Sequence, residues 1–320
     1  MPTSTNTQSL ATWLTQSAER LRRHDVPSPR PDAELLMASV LDVSRSEVGR
    51  QAALGRHLSA EHAEAYRALV DERARRVPLQ HLTGYVDFAG LRLRVGPGVF
   101  VPRVETELIV DRVESMLRSW TQVPEPFVVD LCTGSGAIAL ALKHRLPHAR
   151  VYAVEKDPSA HAWAALNRDQ ARLDVDVHLA DARQALHHLD GGVDVVTCNP
   201  PYVPNGAVPI DPEVRDYDPE VALYGRSADG LALPRQMMTR AAQLLRPGGL
   251  LALEHAEGQG ARVVAELNDS GCWSKAWDEH DLTGRPRTAY ALRSGLSLDG
   301  AQDEDHKRDD EQDSDDGPNK

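Results

Sequence analysis

The 320-residue chain contains only three cysteines. Cys132, Cys198 and Cys272 lie far apart and form neither a CxxC pair nor a Cys/His ligand spacing, which argues against a disulfide framework and against a zinc site. No metal is expected. No apolar run approaches the roughly 20 residues that a membrane helix requires. The opening MPTSTNTQSLATWL lacks the basic start, apolar centre and small-residue cleavage site of a secretory leader, so a cytoplasmic location is expected. Positive charge is also in short supply: 36 Lys and Arg stand against 48 Asp and Glu, for a net charge of −12. Ten acidic and three basic residues follow Leu298, so the rest of the chain carries −5. A protein that grips nucleic acid through phosphates normally presents a basic face, and direct nucleic-acid binding is not expected. No internal repeat is present, and the chain is expected to act as a monomer.

A length of 320 residues accommodates one large domain, a smaller one and a tail. Leu10, Trp13, Leu14, Ala18 and Leu21 lay one apolar stripe along a helix. Ala33, Leu36, Met37, Val40 and Leu41 form a second, and Ala63, Tyr66, Leu69 and Val70 a third behind a Ser59 cap. Residues 1–76 therefore read as a helical bundle. From 77 to 101 the period changes: Leu91, Leu93 and Val95 alternate with Arg92 and Arg94 beside an Ala89-Gly90 turn, which predicts a β-hairpin linker. Between 102 and 296 the short runs FVVDL, RVYAV, VDVHL, VDVVTC and GLLALE alternate with helix-length segments, the rhythm of a parallel sheet covered by helices. SKAWDE and RTAYALRS are separated too narrowly for a crossover helix, so that strand pair should be antiparallel. Residues 297–320 are acidic, nearly devoid of apolar side chains, and expected to be disordered.

The run VVDLCTGSGAIALAL puts Asp130 at a strand end and Gly134 and Gly136 in the turn before a helix. Glycine lets the backbone approach a bound nucleotide closely. Glu155 follows 19 residues after Gly136 at the end of the next strand, where a carboxylate accepts ribose hydroxyl hydrogens. No Lys-Ser or Lys-Thr follows the glycines, which excludes a P-loop. The turn alone suits a dehydrogenase as well as a methyltransferase.

After VDVVTC comes Asn199-Pro200-Pro201-Tyr202, at the carboxyl edge where open α/β sheets place ligands. Consecutive prolines have fixed φ and no N–H, so this stiff segment presents acceptors. An amide nitrogen is a poor nucleophile because its lone pair is delocalised. The Asn199 side-chain oxygen and the Pro200 carbonyl suit its two hydrogens, aiming the nitrogen at a methyl carbon while fixed dipoles stabilise developing charge. Tyr202 supplies an aromatic wall.

Together with PLQHLTGYVDFAGLRLRV, VFVPRVETE, LEHAEGQG and DLTGRPRTAYA, these motifs make the chain resemble the HemK/PrmC family of release-factor glutamine methyltransferases over almost its whole length before the tail. The resemblance implies a seven-stranded Rossmann-like class I methyltransferase sheet with a small N-terminal helical domain. It implies S-adenosylmethionine as cofactor and methyl transfer to the side-chain amide nitrogen of the glutamine in the Gly-Gly-Gln loop of peptide chain release factors. Carried over by position, Cys132, Thr133, Gly134, Ser135, Gly136, Glu155 and Asn199 contact the cofactor, with Asp130 assigned to the same site, and Asn199 through Tyr202 hold the glutamine. The adenine contact falls at Asp181 and Ala182, although a larger side chain is common at the second position. Val104 replaces a more usual proline, and Glu155 an aspartate.

The same Asn-Pro-Pro-Tyr geometry suits an amino group of adenine or guanine in RNA or DNA, and nucleic-acid methylation is the alternative activity. The acidic balance and the lack of a zinc knuckle or basic recognition domain weigh against it. His187, His188, His255 and Cys198 are read as structural. Arg103, Glu105 and Glu107 admit two readings, a surface ion-pair cluster at a helix start and a cofactor-side positioning group.

Overall fold

The protein is described from a computed structural model that covers residues 8–295; the acidic tail expected from residue 297 lies outside the described residues. The chain divides into two compact units. One takes in residues up to Asp87 with Arg92–Val101 and Val208–Pro219, and the other Phe88–Leu91, Pro102–Ala207 and the chain from Glu220 onward.

The first unit is built from α1 (Leu10–Arg23), α2 (Pro29–Leu41), α3 (Arg45–Ala53), α4 (Ala60–Ala74) and the single turn α5 (Leu79–Thr83). Ser9 and Ser59 start α1 and α4 by accepting the Thr12 and His62 backbone N–H groups at 3.2 and 3.1 Å, satisfying donors that have no partner within the helix. The predicted stripes bury Leu10, Trp13, Leu14, Ala18 and Leu21 of α1 against Ala33, Leu36 and Met37 of α2 and Ala63, Tyr66 and Val70 of α4. Helix α3 has no such stripe, since Val48 is its one buried side chain.

Two polar features lie inside this bundle. The Tyr66 hydroxyl donates to the Ala33 carbonyl at 3.1 Å. Buried Arg73 lies 2.7 Å from Asp32 and 2.8 Å from Glu213, and Arg76 reaches the second Glu213 oxygen at 2.5 Å. Burial pushes the Asp32 carboxyl up despite Arg73. For Glu213 burial acts the same way, but Arg76 and Arg73 outweigh it and the carboxyl is lowered.

A hairpin of β1 (Tyr85–Phe88) and β2 (Leu91–Arg94) follows. Its two turn residues, Ala89 and Gly90, both have positive φ, the backbone that matches the twist of paired strands.

The second unit opens with α6 (Glu107–Ser119) and continues as β3 (Phe127–Leu131), α7 (Ala137–Arg145), β4 (Arg150–Glu155), α8 (Pro158–Ala171), β5 (Val175–Leu179) and β6 (Val193–Cys198). The short α9 (Pro212–Tyr217) falls in the segment grouped with the first unit, and the second resumes with α10 (Glu220–Leu223), α11 (Ala232–Leu244), β7 (Leu245–Glu254), α12 (Gly260–Asp269), β8 (Trp273–His280) and β9 (Pro286–Arg293). The seven-stranded sheet runs β5-β4-β3-β6-β7-β9-β8. Strands β3 to β7 are parallel, and β9 is antiparallel to both β7 and β8, as the short link predicted. All six residues of β6 are buried, which explains why a strand covered on both faces reads as a continuous apolar run. One crossover departs from the expected rhythm. Between β5 and β6 the chain makes only a 3-10 turn at His187–Leu189, because Ala182, Ala185 and Leu186 are drawn into the core and the Ala185 carbonyl accepts from the buried Arg240 guanidinium at 2.8 Å.

The ion cluster of the helical unit gives a direct test. Replacing Arg73 by Met keeps the stem but strips the buried Asp32 and the half-buried Glu213 of a shared partner, so unfolding in urea should show a loss of about 3 to 5 kcal/mol. A change below about 1 kcal/mol would mean that Arg76 compensates alone.

Candidate active site

The order of the parallel strands reverses at β3: β4 lies on one side and β6 on the other. A crevice opens there beyond the carboxyl ends of the strands. Leu131 is level with both Val154 and Cys198, and Cys198 with Leu253. The next residue on each strand, Cys132, Glu155, Asn199 and Glu254, therefore belongs to one row along that edge. Two residues of the row, separated by 44 positions in sequence, are the carboxylate and the amide singled out from the sequence.

The turn after β3 is held in an unusual backbone. Cys132, Gly134 and Gly136 have φ of +60°, +58° and +84°. A side chain on Gly136 would also meet Leu140 Cδ1 at 3.0 Å, whereas one on Gly134 would project into open space, so Gly134 is needed for its backbone alone. Three contacts lock the turn: the Gly134 N–H donates to Glu155 Oε2 at 2.8 Å, Thr133 N–H to the Val154 carbonyl at 3.0 Å, and Asn167 Nδ2 to the Ser135 carbonyl at 2.9 Å. Beneath it, the wholly buried Asp130 accepts from the Thr133 hydroxyl at 2.5 Å and from the Thr197 hydroxyl of β6 at 2.7 Å. Burial raises its carboxyl to about 6 against those hydrogen bonds. Asp130 thus works from below, tying the turn to the strand that carries Asn199.

Glu155 is no solvated surface charge. It is buried, and Oε1 accepts the Lys156 and Asp157 N–H groups at 2.8 and 2.9 Å while Oε2 holds Gly134. A carboxylate offers about four acceptor positions, so capacity remains toward the crevice. Asp181 follows β5 and is paired to Arg183 at 2.5 Å, and hydrogen bonding from Arg183 lowers it to about 2. Ala182 is buried in the core and offers no stacking surface.

Asn199 is half-buried, and among the described residues no hydrogen bond engages its side chain. The segment after it is clamped. The Tyr202 carbonyl accepts from Gln259 Nε2 at 2.9 Å, the Val203 N–H donates to the Leu223 carbonyl at 2.8 Å, and a Cβ on Gly230 would sit 2.1 Å from the Tyr202 carbonyl oxygen. The Tyr202 hydroxyl donates to Glu254 Oε1 at 3.2 Å, and the Thr106 hydroxyl to Glu254 Oε2 at 2.7 Å. Burial and the Glu254 charge push the Tyr202 phenol well above its usual range. Burial likewise raises the Glu254 carboxyl to about 7, with Thr106, Tyr202 and Arg287 opposing it.

Glu254, Gln259 and Thr106 were not picked out individually in the sequence. The last is flanked by the acidic pair Glu105 and Glu107, which drew attention instead. His255 is fully buried with Nε2 3.1 Å from Asp278, a packed core histidine, and Cys198 is buried with its thiol pushed up by burial.

Comparison with known proteins decides the family. Residues 12–84 match the PrmC N-terminal domain family and residues 92–211 the methyltransferase small domain family. The release factor glutamine methyltransferase of Bifidobacterium longum is 41% identical over 289 residues, covering 87% of this chain and 98% of its own. That of Streptomyces coelicolor is 44% identical, covering 88% and 97%. The chain belongs to the release factor glutamine methyltransferase family. Among solved structures, the hMettl16 catalytic domain in complex with MAT2A 3′UTR hairpin 6 superposes with a TM-score of 0.50 at 17% identity, covering 72% of this chain and 83% of that one. That likeness concerns the fold alone.

The cofactor of this methyltransferase family is S-adenosylmethionine, and the residues present fit it. The positive-φ turn leaves room at Gly134, Glu155 retains acceptor capacity for a ribose, and Asn199 stands at the adjoining strand end. If Asp130 holds this cradle in shape, Asp130→Ala should leave two buried hydroxyls without an acceptor and destabilise the protein by about 1 to 3 kcal/mol. Isothermal titration should then show cofactor affinity weakened by about tenfold or more. Unchanged affinity in a less stable protein would limit Asp130 to a structural role.

Proposed function

We propose that this protein transfers the methyl group of S-adenosylmethionine to the side-chain amide nitrogen of a glutamine, the Gly-Gly-Gln glutamine of peptide chain release factors. The observation that carries the reading is the clamped Asn199-Pro200-Pro201-Tyr202 segment set one strand away from the glycine turn. S-adenosylmethionine supplies, when bound, an electrophilic methyl group on a positively charged sulfur. The work left to the chain is orientation. Asn199 Oδ1 and the Pro200 carbonyl accept the two amide hydrogens, so the nitrogen can face only one way. Their dipoles favour the positive charge that develops on nitrogen as its lone pair is withdrawn from the carbonyl. The prolines leave no N–H to compete for the substrate's oxygen, and the Tyr202 ring lies against the planar group.

Cys132 to Gly136 and Glu155 hold the cofactor in this proposal, with Asp181 on the adenine side, where Ala182 contributes only by leaving space. The acidic balance of the chain supports a protein substrate over a nucleic acid. The helical residues 1–76 are proposed to dock the body of that substrate, residues 77–101 to link, and residues 102–296 to carry out transfer. No helix among the described residues is long and apolar enough to cross a membrane.

The test is to incubate the purified protein with S-adenosylmethionine and, separately, release factor, ribosomal proteins and RNA, then locate the methyl group by mass spectrometry. Label on the glutamine of the release factor is expected; label on RNA alone would overturn the proposal. In single-turnover measurements Asn199→Ala should lower methyl transfer by about 10² to 10³, a larger loss than that of cofactor affinity. Transfer at a near wild-type rate by that variant would remove the amide clamp from the mechanism.

A further inference from the structure

The work of the crevice is assigned above to four residues after β6, yet a buried carboxylate beside them lies on another strand. Glu254 ends β7, is 4% exposed, and is the neighbour of Asn199 in the row along the carboxyl edge. Its two oxygens are divided between two hydroxyls, Tyr202 at 3.2 Å and Thr106 at 2.7 Å. Thr106 belongs to the Pro102–Glu107 stretch that opens α6, a segment with no part in the cofactor turn or the amide clamp. Two pieces of chain 148 and 52 residues from Glu254 thus converge on one carboxylate.

We infer that Glu254, anchored by Thr106, is a positioning residue that holds the Tyr202 side chain in the place where its ring backs the acceptor amide. The inference rests on the glutamine-methyltransferase reading above. The geometry explains why a carboxylate stands there. An ionised carboxylate only accepts, so both hydroxyls must point at it, and swinging the Tyr202 side chain about χ1 would break its hydrogen bond to Glu254. The opposite end of the residue is fixed as well, because Gln259 holds its carbonyl while Gln259 Oε1 takes the Ala256 N–H at 2.9 Å. Ring and backbone of Tyr202 are therefore tied to the end of β7 and the loop that follows it. The charged groups that act on this pair are Arg287 and Glu105 on Glu254, and Arg103 and Arg287 on Tyr202. With Glu254 near neutrality in its titration, the hold on Tyr202 should strengthen as pH rises.

The experiment uses the full chain, S-adenosylmethionine and release factor, with the wild-type product first located on glutamine by mass spectrometry. Failure at that first step would strike the reading of function; everything after it concerns Glu254. Glu254→Ala should lower kcat by about 10- to 100-fold, with KM for release factor and cofactor affinity within about threefold of wild type. Glu254→Gln, which keeps the shape and one acceptor, should recover most of that loss. Thr106→Val, nearly isosteric and without the hydroxyl, should lower kcat about threefold to tenfold and provides the reading if the alanine variant does not fold. The kcat of wild type should rise with pH through a limb near 7 that Glu254→Gln lacks. Wild-type kcat in both Glu254→Gln and Thr106→Val, or a limb near 7 that persists in Glu254→Gln, would overturn the inference.

Discussion

Everything in the crevice depends on polar groups that the parallel sheet forces to its carboxyl edge and that the protein then satisfies from below. Strand ends leave backbone N–H and C=O groups without ladder partners, and buried ones must be paired. Here carboxylates do much of that pairing. Glu155 gathers three N–H groups, including that of Gly134, while Asp130 takes one hydroxyl from the glycine turn and one from β6, and Glu254 takes those of Tyr202 and Thr106. Each fixes a loop that would otherwise be free to choose among backbone conformations. The geometry of the crevice is thus a by-product of hydrogen-bond accounting at the end of a sheet.

How much of this was legible in the sequence follows from the range of the interactions concerned. The α1, α2 and α4 stripes, the hairpin turn at Ala89-Gly90 and the antiparallel closing pair are local patterns, and the structure has them where the periods place them. The glycine turn and Asn-Pro-Pro-Tyr are equally local, since both depend on φ restrictions written into consecutive residues. The contribution of Thr106 and Gln259 is not local. Each makes its contact across more than 50 residues, and threonine or glutamine in a loop carries no periodic signal. The register of β6 against β7 is what brings Glu254 beside Asn199, and no pattern within either strand specifies it.

The helical unit illustrates the same limit from the other side. Its apolar stripes are plain, but the segment Val208–Pro219, which follows the Asn-Pro-Pro-Tyr element in sequence, is grouped with it through Glu213, Arg73 and Arg76. An ion pair spanning 137 residues cannot be read from charge patterning, because Arg73 and Arg76 sit among many arginines on α4 and just after it. Burial selects the partners. Arg75, between them, is exposed and pairs instead with Glu72.

Using acids as buried struts has a thermodynamic sign that limits how many can be afforded. A carboxyl whose pKa is raised on folding keeps its proton in the native state while the unfolded chain loses it. Stability is therefore greatest below the unfolded value and falls as pH rises toward the folded one. For Glu254 that window runs from 4.5 to about 7, and for Asp130 from 3.8 to about 6. By neutral pH the Glu254 shift alone corresponds to roughly 3 kcal/mol of lost stability. An amide at either place would escape that loss. It would also have to donate with one end, reversing the direction of one threonine or tyrosine hydroxyl. An acceptor-only group permits a single pattern of donors, and at a site whose chemistry is mainly orientation, one permitted pattern is worth more than the stability it removes.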